Sequence, residues 1–234
     1  MFVYSLLRSG ASISEILICI LALALAAAVS IMVHEIAHGF AALKCGDPTA
    51  KISGRLTLNP VAHFDLVGIL MVVFVGFGWA KPVPVNPNNF KNYKKGMIIV
   101  SIAGVVSNLI LCGVGLLLLY FIYPSVGYYY LNVTPNAIIV MKMLVYYFFV
   151  FFISINFMLA FFNILPIYPL DGFKLLDIFL KPNNRYSSFM RRYGTFCLIG
   201  LILLGNVLRS FNLEFLDIFY WASRLINLLI SLVA

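Results

Sequence analysis

Residues 13–40 read "ISEILICILALALAAAVSIMVHEIAHGF", an almost unbroken apolar run that ends in His34, Glu35 and His38. About 20 apolar residues are enough for a helix to cross the ~30 Å of hydrocarbon in a bilayer. Ionisable side chains are expensive at membrane depth, and where they occur they usually serve a function. The stretch therefore predicts a spanning helix that carries a functional polar cluster near one end.

The composition is that of a multi-pass membrane protein. Of the 234 residues, 63% are hydrophobic and 10% are charged, and the mean hydropathy is +1.02. Soluble domains have about 45–50% apolar and about 25% charged residues. The net charge of +8 fits basic loops that set membrane topology better than it fits a nucleic-acid partner. No small-x-small cleavage site follows the first apolar run, so we expect this run to be retained as a span.

The pattern predicts an all-α polytopic fold that forms a single transmembrane domain over 1–234, with its core in 14–180 and C-terminal helices in 193–233. About five spanning helices are expected, at 14–42, 97–122, 138–163, 193–209 and 213–233. The four cysteines resemble buried small hydrophobes more than a disulfide framework; they are Cys19, Cys45, Cys112 and Cys197.

Basic residues give the expected orientation. Seven of the 16 Lys and Arg residues lie in 44–96, five lie in 163–192, and none lies in 123–137. The positive-inside rule then puts 44–96 and 163–192 in the cytoplasm and the N-terminus outside. This assignment requires 64–80 to be a re-entrant segment that enters the membrane and returns.

Two short stretches near the polar cluster have non-helical patterns. Residues 52–58 ("ISGRLTL") alternate like a β-strand. Residues 81–88 ("KPVPVNPN") must be extended, because proline disfavours helix at and before its own position. We therefore expect a short β element close to the polar cluster.

The spacing of the polar cluster indicates a metal site. On a helix, His34 and His38 project from one face a turn apart, and Glu35 can address a water on the same ion. H-E-x-x-H is the zinc-protease pattern, in which the glutamate is the general base. A satisfied polar network in the core is the alternative.

A catalytic zinc takes three protein ligands and leaves one position open. Asp171 in "NILPIYPLDGF" (163–173) is the best candidate for the third ligand, because the prolines break the helix and can aim a side chain into a cavity. It reaches the histidines only if 64–80 is re-entrant, so the charge rule and the metal site require the same topology. Other candidates stay open: His63, Asp47, Asp65, Asp177 and Asp217.

Three motifs together resemble those of the site-2 proteases, a family of intramembrane zinc metalloproteases. They are "HEIAH" (34–38), "NILPIYPLDG" (163–172) and "SIAGVVSNL" (101–109), which has Val105 where the family usually has proline. The resemblance spans about 30–180. It implies one zinc per chain bound by His34, His38 and Asp171, with Glu35 activating a zinc-bound water.

The resemblance also has departures. Phe173 and Lys174 replace residues common after the aspartate, and no PDZ or CBS domain is expected. Lys174 and the other basic residues are taken to set topology and contact lipid headgroups. His63 is interpreted as a structural histidine.

Two asparagines are tentative substrate or oxyanion contacts. Asn108 lies four residues after Gly104 on one helix face, and an amide there could bind substrate backbone or the oxyanion. A hydrogen bond between spans is the equal alternative. Asn163 either supports the broken helix near Asp171 or caps a helix end.

The expected function is hydrolysis of peptide bonds in membrane-embedded or membrane-adjacent substrates. The expected location is the cell membrane, with the catalytic centre near the cytoplasmic side. The lipid bilayer is the expected environment, and no nucleic-acid partner is expected. The alternative is a catalytically inactive zinc-binding scaffold or a transporter.

Overall fold

The computed structural model describes residues 12–63, 81–126, 137–181 and 184–233. The expected re-entrant segment 64–80 lies outside the described residues, as does most of the loop 123–137. The described residues form seven α-helices, α1 to α7 in chain order: Ile13–Cys45, Thr49–Ile52, Tyr93–Val126, Ala137–Ile164, Asp171–Asp177, Arg185–Ser210 and Ile218–Ser231.

Four of these helices, α1, α3, α4 and α6, are long and apolar enough to cross a membrane. They have 33, 34, 28 and 26 residues. The multi-pass character predicted from composition is thus confirmed, and the protein is a multi-pass membrane protein. Apolar side chains cover the outer faces of these helices, as the half-exposed Ile110 and Leu117 of α3 illustrate.

The fifth expected span, 213–233, is not of spanning length. It contains a 3-10 turn, Glu214–Leu216, and the 14-residue helix α7. At 1.5 Å per residue α7 is about 21 Å long, which is less than the ~30 Å hydrocarbon core. Asn212, just before the predicted span, turns the chain with a positive φ of 58°. The Asp217 carboxylate then caps α7 by accepting from Phe219 N–H at 2.9 Å, so this helix begins only at Ile218.

The expected β-strand at 52–58 is wrong, and no strand occurs anywhere in the four described ranges. Residue 52 ends the short helix α2, and Gly54 follows in a turn with φ 65°. Alternation alone misled here, because glycine and the loop hydrogen bonds around it favour a turn. Of the stretch 81–88 predicted to be extended, residues 81–86 are non-helical, whereas Pro87 and Asn88 belong to a 3-10 turn, Pro87–Asn89.

Helices α1, α3 and α4 pack against one another and form the core of the fold. Small residues allow the close approach: a Cβ on Gly115 of α3 would lie 2.8 Å from Ile153 Cγ1 of α4. One buried cluster joins three helices: it contains Cys112 and Leu119 of α3, Ile153 of α4 and Ile226 of α7. The three helices also share buried polar side chains, which form the site described below.

Asp47 ties the end of α1 to residues 81–88, called the proline-rich segment below. Gly46 ends the helix in the left-handed conformation, with φ 110°. The fully buried carboxylate of Asp47 then accepts from Asn86 N–H at 2.7 Å, Asn89 Nδ2 at 2.8 Å and both the N–H and hydroxyl of Thr49. Burial of this carboxyl would raise its pKa, but these hydrogen bonds hold the pKa of Asp47 below its usual range.

We expect Asp47→Asn to loosen residues 86–89 and to cost about 2–3 kcal/mol of unfolding free energy, since hydrogen bonds to a charged group contribute ~1.5–3 kcal/mol. In the wild type this contribution is present above the ordinary aspartate pKa of about 3.9 and is lost as the pH falls through the lowered pKa. Hydrogen exchange of residues 86–89 in detergent measures the local effect, and denaturant titration measures the global one.

Asp177→Asn is the matched control. Asp177 pairs with Arg191, whose side chain is 64% exposed, and such surface pairs contribute about 0–1 kcal/mol. Equal losses in the two variants would contradict the role assigned to Asp47.

Candidate metal centre and catalytic cleft

Three potential metal ligands meet where the end of α1 faces the start of α5. Helix α1 presents His34 and His38, and α5 begins with Asp171. Their ligand atoms all lie within 4.8 Å of one another, and all three side chains are buried. His34 Nε2 and His38 Nε2 are 3.0 Å apart, and Asp171 Oδ2 lies 3.4 Å from the first and 3.0 Å from the second.

The other ring nitrogens fix which atoms face this point. Nδ1 of His38 lies 2.8 Å from the backbone carbonyl of Val100, which can only accept a hydrogen bond. Nδ1 of His34 lies 2.5 Å from Oδ1 of Asn108. Both rings therefore carry their proton on Nδ1, and both Nε2 lone pairs point toward Asp171 Oδ2.

This arrangement fits a zinc ion. Among the described residues, buried Asp171 Oδ2 has no hydrogen-bond donor besides the two histidines that it faces, so with both Nε2 atoms unprotonated three lone-pair atoms converge. A cation relieves that repulsion. Zn–N and Zn–O bonds of about 2.0–2.1 Å in a tetrahedral site place ligand atoms ~3.3 Å apart, close to the separations here. Three ligands also match a catalytic zinc site.

One face of α3 supports both histidines. Val100, Gly104 and Asn108 follow at intervals of four, so they lie along one stripe of the helix. A Cβ on Gly104 would contact His34 Cε1 and come within 2.6 Å of His38 Nε2. Glycine is needed at 104 because the two imidazoles occupy the space that a side chain would take.

Asn108 belongs to a buried hydrogen-bonding chain through three helices. Its Nδ2 donates to Asn156 Oδ1 of α4 at 2.7 Å, and Asn156 Nδ2 donates to Ser30 Oγ of α1 and to the Phe152 carbonyl, each at 2.8 Å. Asn108, Asn156 and Ser30 are fully buried. This geometry favours the interhelical hydrogen bond over contact of Asn108 with substrate.

Glu35 faces a cleft of about 600 Å³ that His34, His38 and Asp171 also line. One carboxylate oxygen, Oε2, accepts from Val83 N–H at 2.8 Å. Residues 81–86, which carry Val83, are held by Arg55, whose Nη2 donates to the Lys81 carbonyl at 2.5 Å. The proline-rich segment thus forms one wall of the cleft and holds Glu35 beside the ligand cluster.

Lys174 lies one turn after Asp171 on α5. Its Nζ is 2.8 Å from Asp171 Oδ1, and its side chain is half-exposed in the cleft. This contact occupies one carboxylate oxygen and leaves Oδ2 toward the histidines. The spacing of three residues on a helix could have indicated this pair from the sequence.

The remaining candidate residues lie elsewhere or are used otherwise. His63 is fully buried and its Nε2 lies 2.8 Å from the Thr57 carbonyl, outside the ligand cluster. Asn163 lines the cleft and donates from Nδ2 to the Leu159 carbonyl at 3.0 Å. Asp65 lies outside the described residues, and three aspartates are bound away from the cluster: Asp47, Asp177 and Asp217.

Sequence interpretation missed three parts of the site: Asn156, Ser30 and the cationic partner Lys174. An asparagine inside the apolar run "FFISINFMLAFF" (151–162) is a signal that could have been used, because a buried amide in a span needs a partner. Ser30 had no such signal, since serine can bond its own helix. Here it does, through Ser30 Oγ to the Ala26 carbonyl at 2.7 Å.

Comparison with known proteins gives the family. The model of Peptidase family M50 matches residues 22–204. "Putative zinc metalloprotease YwhC" of Bacillus subtilis (strain 168) is 40% identical over 185 residues, 79% of this chain and 80% of that protein. "Putative zinc metalloprotease Rip2" of Mycolicibacterium smegmatis (strain ATCC 700084 / mc(2)155) is 24% identical over 198 residues, 82% of this chain and 69% of that protein. No solved structure matches. The family model covers most of the chain, which therefore belongs to peptidase family M50, the site-2 proteases, and is a membrane zinc metalloprotease.

Proposed function

We propose that this protease hydrolyses peptide bonds of membrane-embedded or membrane-adjacent substrates at one zinc held by His34, His38 and Asp171, with Glu35 as general base. The observation that carries the proposal is the convergence of two Nε2 lone pairs and one unpaired carboxylate oxygen beside Glu35. The two relatives are both named as zinc metalloproteases.

Each side chain then has a separate task. When bound, zinc polarises carbonyl oxygens and makes water a better nucleophile at neutral pH. Glu35 takes the proton from the attacking water and returns it to the leaving amine. Val83 N–H holds Oε2 of Glu35 and so fixes the direction of the carboxylate. Lys174 holds Oδ1 of Asp171, which commits Oδ2 to the metal.

The position of the cleft supports cleavage near the membrane edge. His34 and His38 lie 11 and 7 residues before the end of α1 at Cys45, about 10–17 Å along the helix axis. The cleft is lined by Glu35, Ser101, Asn163 and Lys174 as well as by the ligands, and these polar side chains favour the entry of water. The basic loops support a catalytic centre near the cytoplasmic side and an outside N-terminus.

An extended substrate could pair with the 81–86 segment, but only in part. Pro82 and Pro84 have no N–H. The N–H groups of Lys81, Val83 and Asn86 already bond to His63, Glu35 and Asp47. Arg55 also donates to the Lys81 and Pro82 carbonyls, so main-chain pairing here would rest mostly on the remaining carbonyl groups of the segment. Pairing beside 52–58 has no support, because those residues form a helix end and turns.

We expect about one zinc per purified wild-type chain, clearly less for Asp171→Ala, and a full complement for Glu35→Gln. Glu35→Gln should lower hydrolysis of a membrane-spanning peptide by about 10²–10⁴-fold, because a general base contributes that much. Elemental analysis and cleavage in the same detergent measure both effects.

Asp177→Ala is the control and should keep both zinc and turnover, since Asp177 pairs with Arg191 away from the cluster. A full zinc complement in Asp171→Ala would exclude Asp171 as a ligand. Undiminished function in Glu35→Gln would favour the scaffold or transporter alternative.

We also expect Asn108→Leu to weaken zinc binding by about 10–100-fold, the usual effect of removing a partner that orients a metal-binding histidine. The isosteric leucine removes the acceptor for His34 Nδ1 and leaves Asn156 without its partner. Competition with a chelator measures the affinity. Ser107→Ala is the control on the same helix, because Ser107 Oγ bonds only locally, to the Gly104 carbonyl at 2.8 Å. Equal zinc affinity in the two variants would contradict the role of Asn108.

A further inference from the structure

A second cavity of about 460 Å³ adjoins the catalytic cleft. The two cavities share Ser101, Asn163 and Asp171, so they meet at the ligand cluster. Apart from these three, the described residues that line it are apolar, and most belong to α3 or to α5 and the residues just after it: Ile102, Val105, Leu175, Leu176 and Phe179. This second cavity is called the apolar cavity below.

Helix α3 relates the apolar cavity to the chemistry. One stripe of α3, Val100, Gly104 and Asn108, supports the histidines. The adjacent stripe, Ser101 and Val105, lines the apolar cavity and is rotated by about 100° from the first. A group in the apolar cavity is thus positioned by the helix that positions the metal ligands.

Ser101 gives a second, independent sign of a ligand. Ser101 is 3% exposed, and its hydroxyl has no hydrogen-bond partner among the residues that the structure describes. Serine in a helix usually satisfies its hydroxyl by bonding to a backbone carbonyl, and an unpaired buried hydroxyl is costly. It lies where the two cavities meet, beside the position that a scissile peptide would occupy. A main-chain group of a bound peptide would supply the missing hydrogen-bond partner of the Ser101 hydroxyl.

We propose that the apolar cavity receives a large apolar side chain of the substrate residue next to the scissile bond, while the Ser101 hydroxyl bonds to the substrate main chain. This inference rests on the proposed function. The occupant is a substrate side chain because the cavity is continuous with the catalytic cleft and lies within the range of ~300–1,000 Å³ typical of ligand sites. A charged side chain is disfavoured, since the one charged residue among the described lining residues, Asp171, already faces Lys174 and the two histidines, and burying an unpaired charge is costly.

Specificity follows from Val105 and can be reversed by changing its size. Wild type should prefer Leu or Phe over Ala at one position flanking the cut by about 10–100-fold in kcat/KM, and should reject Lys there. Val105→Phe fills the apolar cavity and should shift the preference to Ala. Val105→Ala enlarges it and should increase the preference for Phe over Leu.

Val106→Phe is the matched control. It adds the same volume to the next residue of α3, which is 46% exposed, and should leave the preference unchanged. Ser101→Ala should lower kcat/KM about 10-fold for every substrate and keep both the side-chain preference and the zinc content, whereas Ser101→Thr retains the hydroxyl and should recover part of the rate.

The experiment is cleavage of membrane-spanning peptides in detergent, with each position that flanks the mapped cut varied among Ala, Leu, Phe and Lys. A preference that changes with Val105 and not with Val106 supports the proposal. Cleavage by wild type with no preference, or equal rate losses on all substrates for Val105→Phe, overturns it and indicates a lipid chain in the apolar cavity. No cleavage of any peptide by zinc-loaded wild type overturns the proposed function, and this inference with it.

Discussion

The hydrogen bond between Asn108 and His34 is the interaction on which the rest of the site depends. Its direction is set far from the metal ligands. The Phe152 carbonyl can only accept, so it fixes the amide of Asn156 with Nδ2 toward it. Oδ1 of Asn156 then accepts from Asn108 Nδ2, which turns Asn108 Oδ1 toward His34. A backbone carbonyl of α4 therefore determines which nitrogen of a ring on α1 carries the proton, through the fully buried side chains of Asn156 and Asn108.

The same constraint explains why α1, α3 and α4 pack so closely. In hydrocarbon, apolar contact alone gives little preference for one helix arrangement over another. Small residues and matched amides supply that preference here: Gly104 and Gly115 allow α3 to approach its neighbours, and Asn108 and Asn156 leave one register in which both are satisfied. Displacing α3 by one turn would leave Asn108, His34 Nδ1 and the Oδ1 atom of Asn156 without these partners. Stability and ligand geometry are therefore properties of a single helix interface.

Sequence patterns predicted what is local and failed where distant groups decide. Helix periodicity predicted that His34, Glu35 and His38 lie close together. The prolines before Asp171 end α4 and allow Asp171 to start a separate helix. Gly172 packs closely against the Ile164 carbonyl, which places the start of α5 directly against the end of α4. The strand at 52–58 was mispredicted because Gly54 turns the chain there, and the fifth span is not confirmed because hydropathy does not register the Asp217 cap that starts α7 at Ile218. Partners such as Asn156 for Asn108 lie 48 residues apart, a distance that no periodicity in one sequence encodes.

The charged residues distinguish the catalytic cleft, which is polar, from the adjoining apolar cavity. Lys174 holds one oxygen of Asp171 and faces the cleft with Glu35, so ionised groups and water belong on that side. Among the described residues that line the apolar cavity, Asp171 is the one charged residue, and its oxygens are directed to Lys174 and to the histidines. A peptide that crosses the junction at Ser101 would expose its scissile bond to the polar side and bury a neighbouring side chain on the other. One helix, α3, sets both sides, because the stripes at 100, 104, 108 and at 101, 105 cannot move independently.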